Sequence, residues 1–370
     1  MRLIIHAGSP KTGTSKLQQH LSETRTELLE SNRTLYPNAG RNFANESFDR
    51  HVGLRFAFRD PEADPDGLET DVGIDGPVAR KNYREEFIRE FDSEIALTNP
   101  EIVIVSDEAL FRFSEPQLWK SIREFFESRF DEILVIVYLR RPDEYITSWY
   151  SQCVKMGEKM PLGDFTTQAC DEGNQRLVKL DTIATAFSKE SLSVRPYIPA
   201  GRSGHDIVAD FAEAAACTLG TATSELRNTS LSAFGCEILR NINCAYEEGG
   251  RPEVFRRIAS QKFPGEPAQL NRNQIESVHS AFYAEHQEIV KRYMGGDSRK
   301  LYQYDDMLQA PIKHQEENIE EMAKEVASAL VELRRFHFNQ SARQPEPITT
   351  RPASHRFLDR IKAIACKTRT

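Results

Sequence analysis

Cysteine is scarce and scattered in this chain. The six residues (Cys153, Cys170, Cys217, Cys236, Cys244 and Cys366) form no CxxC pair and no dense framework, so neither a disulfide scaffold nor a thiolate zinc site is in view. Most fall in segments that read as helical, where a free thiol packs as a small hydrophobe, and a reducing compartment is the simplest inference. No apolar run approaches membrane-spanning length. The N-terminal Met1-Arg2-Leu3-Ile4-Ile5-His6-Ala7-Gly8 has too short an apolar part for a signal peptide and runs straight into a glycine turn; it reads as the first β-strand of a cytoplasmic protein. Positive charge is not in excess either. A formal net charge of −8 disfavours a general nucleic-acid-binding role while leaving room for a local basic cleft. The histidines, including His279 and His286, lack metal-ligand spacing, so no metal is expected. No nucleophile-elbow, catalytic-cysteine or dinucleotide GxGxxG pattern occurs.

What is present is the balance of a protein with a real core: 370 residues, 39% hydrophobic and 28% charged. That length allows one large α/β domain or two modest ones. Apolar, β-branched runs at 3–6, 102–106, 133–139 and 192–198 lack polar alternation, as expected of strands covered on both faces. Helical patterns lie between them at 15–29, 84–97, 115–130, 143–154 and 175–187. The alternation predicts an α/β fold with a mostly parallel central sheet and flanking helices. The C-terminal third reads as helical, over 206–216, 230–246, 271–293 and 315–336. We read 1–338 as one domain with a polar, loop-like insertion at 36–80, which is either a lid or acceptor-binding region or a solvated excursion. From 339 to 370 the composition marks a flexible basic tail.

The strongest local signal is Gly8-Ser9-Pro10-Lys11-Thr12-Gly13-Thr14-Ser15, directly after the first strand and before a helix. Glycines there let successive N–H groups turn inward, and a helix N-terminus adds positive potential for a phosphate. Gly8 and Gly13 have the spacing of the NTPase pattern GxxxxGK[ST], yet Thr14 stands in the lysine slot and Lys11 sits three residues earlier. A cation displaced in that way suits a leaving group formed without a metal ion. Further on, the third strand ends in Tyr138-Leu139-Arg140-Arg141-Pro142, and the next helix carries Ser148. A strand-end arginine followed eight residues later by a helical serine can clamp a second phosphate from two sides, at the sheet edge where open α/β folds bind ligands.

Together these segments resemble the two phosphate motifs of the PAPS-dependent sulfotransferases (PAPS is 3′-phosphoadenosine 5′-phosphosulfate), and a looser resemblance over 206–211 and 228–243 suggests the bacterial-type branch. The resemblance implies a P-loop-like sulfotransferase fold. It also implies that Lys11, Thr12, Gly13, Thr14 and Ser15 surround the 5′-phosphosulfate, and that Arg140 and Ser148 hold the 3′-phosphate. Arg141 has no assigned counterpart; it is a second phosphate contact or a surface residue at the helix entry. Ser193-Val194-Arg195-Pro196-Tyr197 resembles a family strand near the adenosine, so Tyr197 lines that pocket or is simply part of a core strand. PAPS is the implied co-substrate. The implied acceptor is a carbohydrate, a lipid-linked glycan or a small metabolite, accepting on a hydroxyl or amine.

An acceptor needs a base. Glu108, just past the second strand, is the first candidate, with Asp107 beside it; both could equally cap the following helix. His51, in the insertion, is the other candidate. Two alternatives stay open: a P-loop kinase-like phosphotransferase, with Asp107 holding Mg²⁺, and a catalytically inert nucleotide-binding protein. In 355–370, Phe357, Leu358, Ile361, Ile364 and Ala365 share a helical face, so a short basic amphipathic helix could touch an anionic membrane peripherally. The alternatives are a tail helix docked on its own domain and a disordered tail.

Overall fold

The computed structural model describes residues 1–43, 46–47, 49–173, 175–199, 206–220, 231–246, 266–296, 301, 323–324, 326–331 and 334. The chain packs as two compact units. One is Met1–Pro142 with Gly173–Asn228 and Ser280–Asp306; the other is Asp143–Glu172 with Thr229–His279 and Met307–Thr370. The expectation of a single domain over 1–338 does not separate them.

In chain order the first unit carries β1 (Arg2–Gly8), α1 (Thr14–Glu23), α2 (Arg25–Asn32), β2 (Thr34–Leu35) and a short hairpin of β3 (Asn42–Phe43) and β4 (Glu46–Ser47). Then come α3 (Val52–Phe58), α4 (Gly67–Asp71), α5 (Pro77–Thr98), β5 (Ile102–Ser106), a 3₁₀ turn at Glu108–Arg112, α6 (Pro116–Glu127) and β6 (Glu132–Leu139). After α7 (Pro142–Met156) and α8 (Leu162–Glu172), which open the second unit, follow α9 (Arg176–Phe187), β7 (Leu192–Pro196) and α10 (Ile207–Ala214). The remaining described helices with printed bounds are α11 (Ala233–Ala245) and α12 (Arg272–Tyr293).

Five strands form a parallel sheet in the order β2-β5-β1-β6-β7. The strands read as continuous apolar runs because each alternates between two dry faces. Leu3, Ile5, Val103, Val105, Val135 and Val137 join one buried cluster, with Phe87 and Phe91 of α5, Trp119 and Phe126 of α6 and Ile183 of α9. Ile4, Ile104, Ile136 and Tyr138 face the opposite way, onto Leu17 and Leu21 of α1 and Phe211 of α10. The architecture is therefore helix, parallel sheet, helix, as the alternation of runs predicts. The chain moves outward from β1 to the edge strand β2, returns to β5, then crosses β1 to β6. This makes the C-terminal end of β1 the switch point, where open α/β sheets bind ligands.

Three local expectations are corrected. The helix expected over 15–29 is two helices, broken at Thr24, whose Oγ1 donates to the His20 carbonyl at 2.7 Å and so competes with the helical ladder. The edge strand β2, of only two residues, is too short to leave a pattern, and α8 was not expected at all. The third correction is the insertion, which is not loop-like. Every residue of α3 is buried, and the acidic stretch at 60–66 is gathered by arginines. Arg80 Nη1 donates to the carbonyls of Asp60, Pro61 and Ala63 at 3.1, 2.6 and 2.9 Å, while Nε donates to Glu69. Asp66 and Glu69 form a capping box on α4, with Arg55 paired to Asp66 and Arg59 to Glu69. Mixed polarity hides such a segment because Asp66 and Glu69 are matched inside it, although Asp60, Glu62 and Asp64 stay exposed.

In the second unit, Tyr150 and Val154 of α7 pack with Ile238, Leu239 and Ile242 of α11 and with Ala323, Val326 and Leu330. Asn243 donates to the carbonyls of Val154 and Glu158, at 2.9 and 2.8 Å, locking the end of α7. The described part of the expected helix at 315–336, namely 323–324, 326–331 and 334, is helical. The tail at 339–370, with its expected amphipathic helix, lies outside the described residues. Among the described residues no helix is long and apolar enough to cross a membrane.

Candidate active site

The loop between β1 and α1 is shaped by what surrounds Gly8 and Gly13. Gly8 has φ +107°, and a Cβ there would stand 2.7 Å from the Glu108 carbonyl oxygen, so the loop lies directly against the end of β5. Ser9 ties it to the other neighbour, β6: its N–H and Oγ donate to the Tyr138 carbonyl at 3.0 and 2.8 Å. Thr12 is buried and its Oγ1 donates to the Ser9 carbonyl at 2.5 Å, so this hydroxyl braces the loop from within. Gly13, at φ +74°, is the N-cap of α1 and brings no side-chain cap. The first turn of α1 thus receives no side-chain cap from its N-cap residue, with Thr14 buried and Ser15 exposed on it. Lys11, at φ +68°, is half-buried midway along the loop.

Arg140 and Tyr197 close on the same loop. Arg140 leaves the end of β6 and its Nη1 donates to the Lys11 carbonyl at 2.9 Å. Tyr197 lies just past β7, its N–H donating to the Leu139 carbonyl at 2.8 Å. Its ring faces the Arg140 guanidinium, 5.4 Å from the centroid, and a Cβ at Gly13 would meet its Cε2 at 3.0 Å. Tyr197 is thus more than a core-strand residue, because it covers the start of α1. Arg176, on α9, donates to the Arg140 carbonyl at 3.4 Å and pairs with Glu285 at 3.1 Å. Ser148 is half-buried on α7, in the second unit.

On the β5 side the expected bases separate. Asp107 is fully buried. It caps the 3₁₀ turn by accepting from the Ala109 N–H at 3.2 Å, and its Oδ1 accepts from Arg50 Nη1 at 2.6 Å. Burial pushes its carboxyl up, with Arg50 opposing. His51, expected as an alternative base, is instead a buried strut. Its Nδ1 accepts from the Ser106 N–H at 3.1 Å, which leaves the proton on Nε2 to donate to the Pro37 carbonyl at 3.0 Å. Both ring nitrogens are occupied by backbone, and burial lowers the imidazole pKa to about 3, so it cannot take a proton from an acceptor. Glu108 differs from both. Its side chain keeps 22% exposure, one oxygen accepts from Gln18 Nε2 at 2.7 Å, and the other is 3.9 Å from Arg50.

Sequence reasoning missed Gln18 and Arg50. Gln18 had no signal that singles it out, because Thr14, Gln19 and His20 are also buried polar residues of α1. Arg50 had none, because only the folded insertion carries it to β5.

No family model matches the chain, and no curated protein matches it. Solved structures similar to the chain include two sulfotransferases. One is a sulfotransferase from Alicyclobacillus acidocaldarius, 14% identical, covering 71% of this chain and 96% of that one at a TM-score of 0.36. The other is the sulfotransferase domain from the curacin biosynthetic pathway, 14% identical, covering 76% of this chain and 97% of that one at a TM-score of 0.30.

Proposed function

We propose that the chain is a sulfotransferase that moves a sulfuryl group from PAPS to a hydroxyl or amine of a carbohydrate, lipid-linked glycan or small-metabolite acceptor. The observation that carries this reading is the bond from Arg140 Nη1 to the Lys11 carbonyl, 2.9 Å long. It sets a permanently charged fork beside a loop that already offers a lysine and a helix N-terminus, so two anionic groups of one small nucleotide have partners at one strand-end cluster. Gly13, where a Cβ would stand 3.0 Å from Tyr197 Cε2, lets that ring lie against the start of α1 beside the loop.

PAPS would supply a sulfuryl group whose transfer forms a bond from sulfur to the acceptor and breaks the bond to the bridging oxygen, which leaves on adenosine 3′,5′-bisphosphate. Lys11 neutralises the charge that collects on that oxygen. Thr14, Ser15 and the N–H groups of the first turn of α1 hold the 5′-phosphate, together with the backbone of Thr12 and Gly13. Arg140 holds the 3′-phosphate. Tyr197 flanks the adenosine, and Glu108 takes the acceptor proton.

The kinase-like alternative needs Asp107 for Mg²⁺, but that carboxylate is buried and engaged by Arg50. The deciding experiment is thermal denaturation with adenosine 3′,5′-bisphosphate in the absence of Mg²⁺. A ligand about 100-fold above its Kd adds about 2.7 kcal/mol, a clear rise in Tm. Equal or better stabilisation by Mg²⁺–ATP, with no turnover of labelled PAPS, transfers the assignment to the phosphotransferase.

A further inference from the structure

Behind Glu108 lies a buried chain of side chains that the phosphate sites do not use. Gln18 Nε2 donates both to Glu108 Oε2 at 2.7 Å and to Ser106 Oγ at 3.1 Å. Ser106 Oγ is in turn 2.8 Å from His6 Nδ1. Gln18, Ser106 and His6 are all buried.

Donor counting gives the chain one direction. An ionised carboxylate only accepts, so the Gln18 amide must turn its NH₂ to Glu108, and its two hydrogens are then divided between Glu108 and Ser106. With Ser106 Oγ accepting from Gln18, its own hydrogen goes to His6 Nδ1, leaving the imidazole proton on Nε2. The opposite tautomer would orphan the Ser106 hydroxyl hydrogen in addition to Nε2, at a further buried desolvation cost. Burial lowers His6 to about 4, so the far end of the chain is neutral at ordinary pH. A neutral amide cannot relay a proton. The chain therefore orients and does not shuttle.

We infer that Gln18 is the positioning residue of the base: it occupies Glu108 Oε2 and so turns Oε1 toward the acceptor as the proton-taking oxygen. This rests on the proposed reading of Glu108. Among the described residues, charged and titratable groups acting on Glu108 include Arg50, 3.9 Å from Oε1, its neighbour Asp107, and His6 and Tyr36. Gln18 sits on α1, the helix whose N-terminus borders the phosphate loop. The same helix thus borders the phosphate loop at its N-terminus and reaches Glu108 through Gln18.

The test uses the full chain and three variants: Gln18→Met, Gln18→Glu and Gln18→Met combined with Glu108→Gln. Losing one hydrogen bond to a charged group should lower kcat about ten- to a hundredfold in Gln18→Met, with the KM for PAPS unchanged. The double variant should be no slower than Glu108→Gln alone, since Gln18 acts only through Glu108. Gln18→Glu, of the same size, should also lose rate. A readout independent of turnover is the Gln18 side-chain amide resonance of the unliganded protein, which should shift on Glu108→Gln. Losses that multiply in the double variant, full kcat in Gln18→Glu, or an unmoved amide signal each overturn the inference. If the wild-type chain transfers no sulfuryl group, the proposed function falls instead, while the amide signal still reports whether Gln18 holds Glu108.

Discussion

The two sides of the site, on either flank of β1, are built differently. On the β6 side Lys11, Arg140 and Tyr197 are half-buried and meet around the loop backbone, with a lysine carbonyl as their junction. On the β5 side His51, Asp107, Ser106, Gln18 and His6 are buried and bonded to one another, to Arg50 or to backbone, while Glu108 and Arg50 keep part of their surface. A site that must bind and release an anion needs charge at an accessible edge. A site that must remove one proton needs one oriented oxygen on a rigid support. The difference implies that damage on the two sides should separate into different kinetic constants.

The largest separation is expected from Glu108→Gln. Removing the base should cost roughly 10²–10⁴-fold in kcat. Titration with adenosine 3′,5′-bisphosphate should give an unchanged affinity, because the proposed mechanism turns the carboxylate to the acceptor and not to the nucleotide. An acceptor whose nucleophile is already ionised should recover much of the rate. Full turnover in this variant would return Glu108 to a helix-start role and erase the contrast. Next in size is Lys11→Ala, with a fall in turnover of roughly 10²–10³-fold, the usual scale for a lost stabiliser of developing charge. That fall should be seen with almost any acceptor, pre-ionised ones included, which is what distinguishes it from Glu108. Lys11→Arg should rescue poorly, since a planar fork does not replace a compact ammonium.

The same contrast explains what could be read without coordinates. Lys11, Gly13, Thr14 and Arg140 belong to short contiguous motifs at strand ends, and a strand end at the switch point has one place to be. The sheet was legible for a similar reason, because Leu3 to Ile5, Val103 to Val105 and Val135 to Val137 each serve two dry faces. The β5 side depends on partners far apart in sequence. His51 reads as a solvated loop histidine until α3 is known to be buried and Ser106 to reach its Nδ1. Arg50 is 57 residues from Asp107, and no local pattern connects them. The insertion misled because two of its carboxylates, Asp66 and Glu69, are matched by Arg55, Arg59 and Arg80 inside the fold, whereas composition registers only their polarity.

A smaller effect, on binding alone, is expected for Arg140→Ala. A lost charge-assisted contact costs on the order of 1.5–3 kcal/mol, or about ten- to a hundredfold in Kd for adenosine 3′,5′-bisphosphate. Adenosine 5′-phosphate, which lacks the 3′ group, should be affected far less. Isothermal titration with the two nucleotides measures the difference directly. Equal losses for both would make Arg140 a brace for the Lys11 carbonyl rather than a phosphate ligand, and the β6 side would then be as structural as the β5 side.

The smallest effect concerns stability, and it tests whether the β5 side is the rigid support described. His51 is neutral in the fold down to about pH 3, whereas in the unfolded chain it takes up a proton near its ordinary value of 6.5. Between those values the unfolded chain binds more protons, so stability is complete above about pH 6.5 and is lost as pH falls through that window. His6, lowered to about 4, acts in the same sense over a narrower window. Each histidine should contribute about 1.4 kcal/mol per pH unit to the slope inside its window. Carboxylates add their own slope at the acid end, so the informative quantity is the difference between variant and parent. Denaturant titrations at pH 6.5, 5.5 and 4.5 should show His51→Gln losing stability less steeply than the parent by one proton's worth. Arg140→Ala, on the other flank, should run parallel to the parent. If His51→Gln also runs parallel, His51 titrates normally in the fold. Its ring would then be open to solvent and proton, and would return as a candidate base.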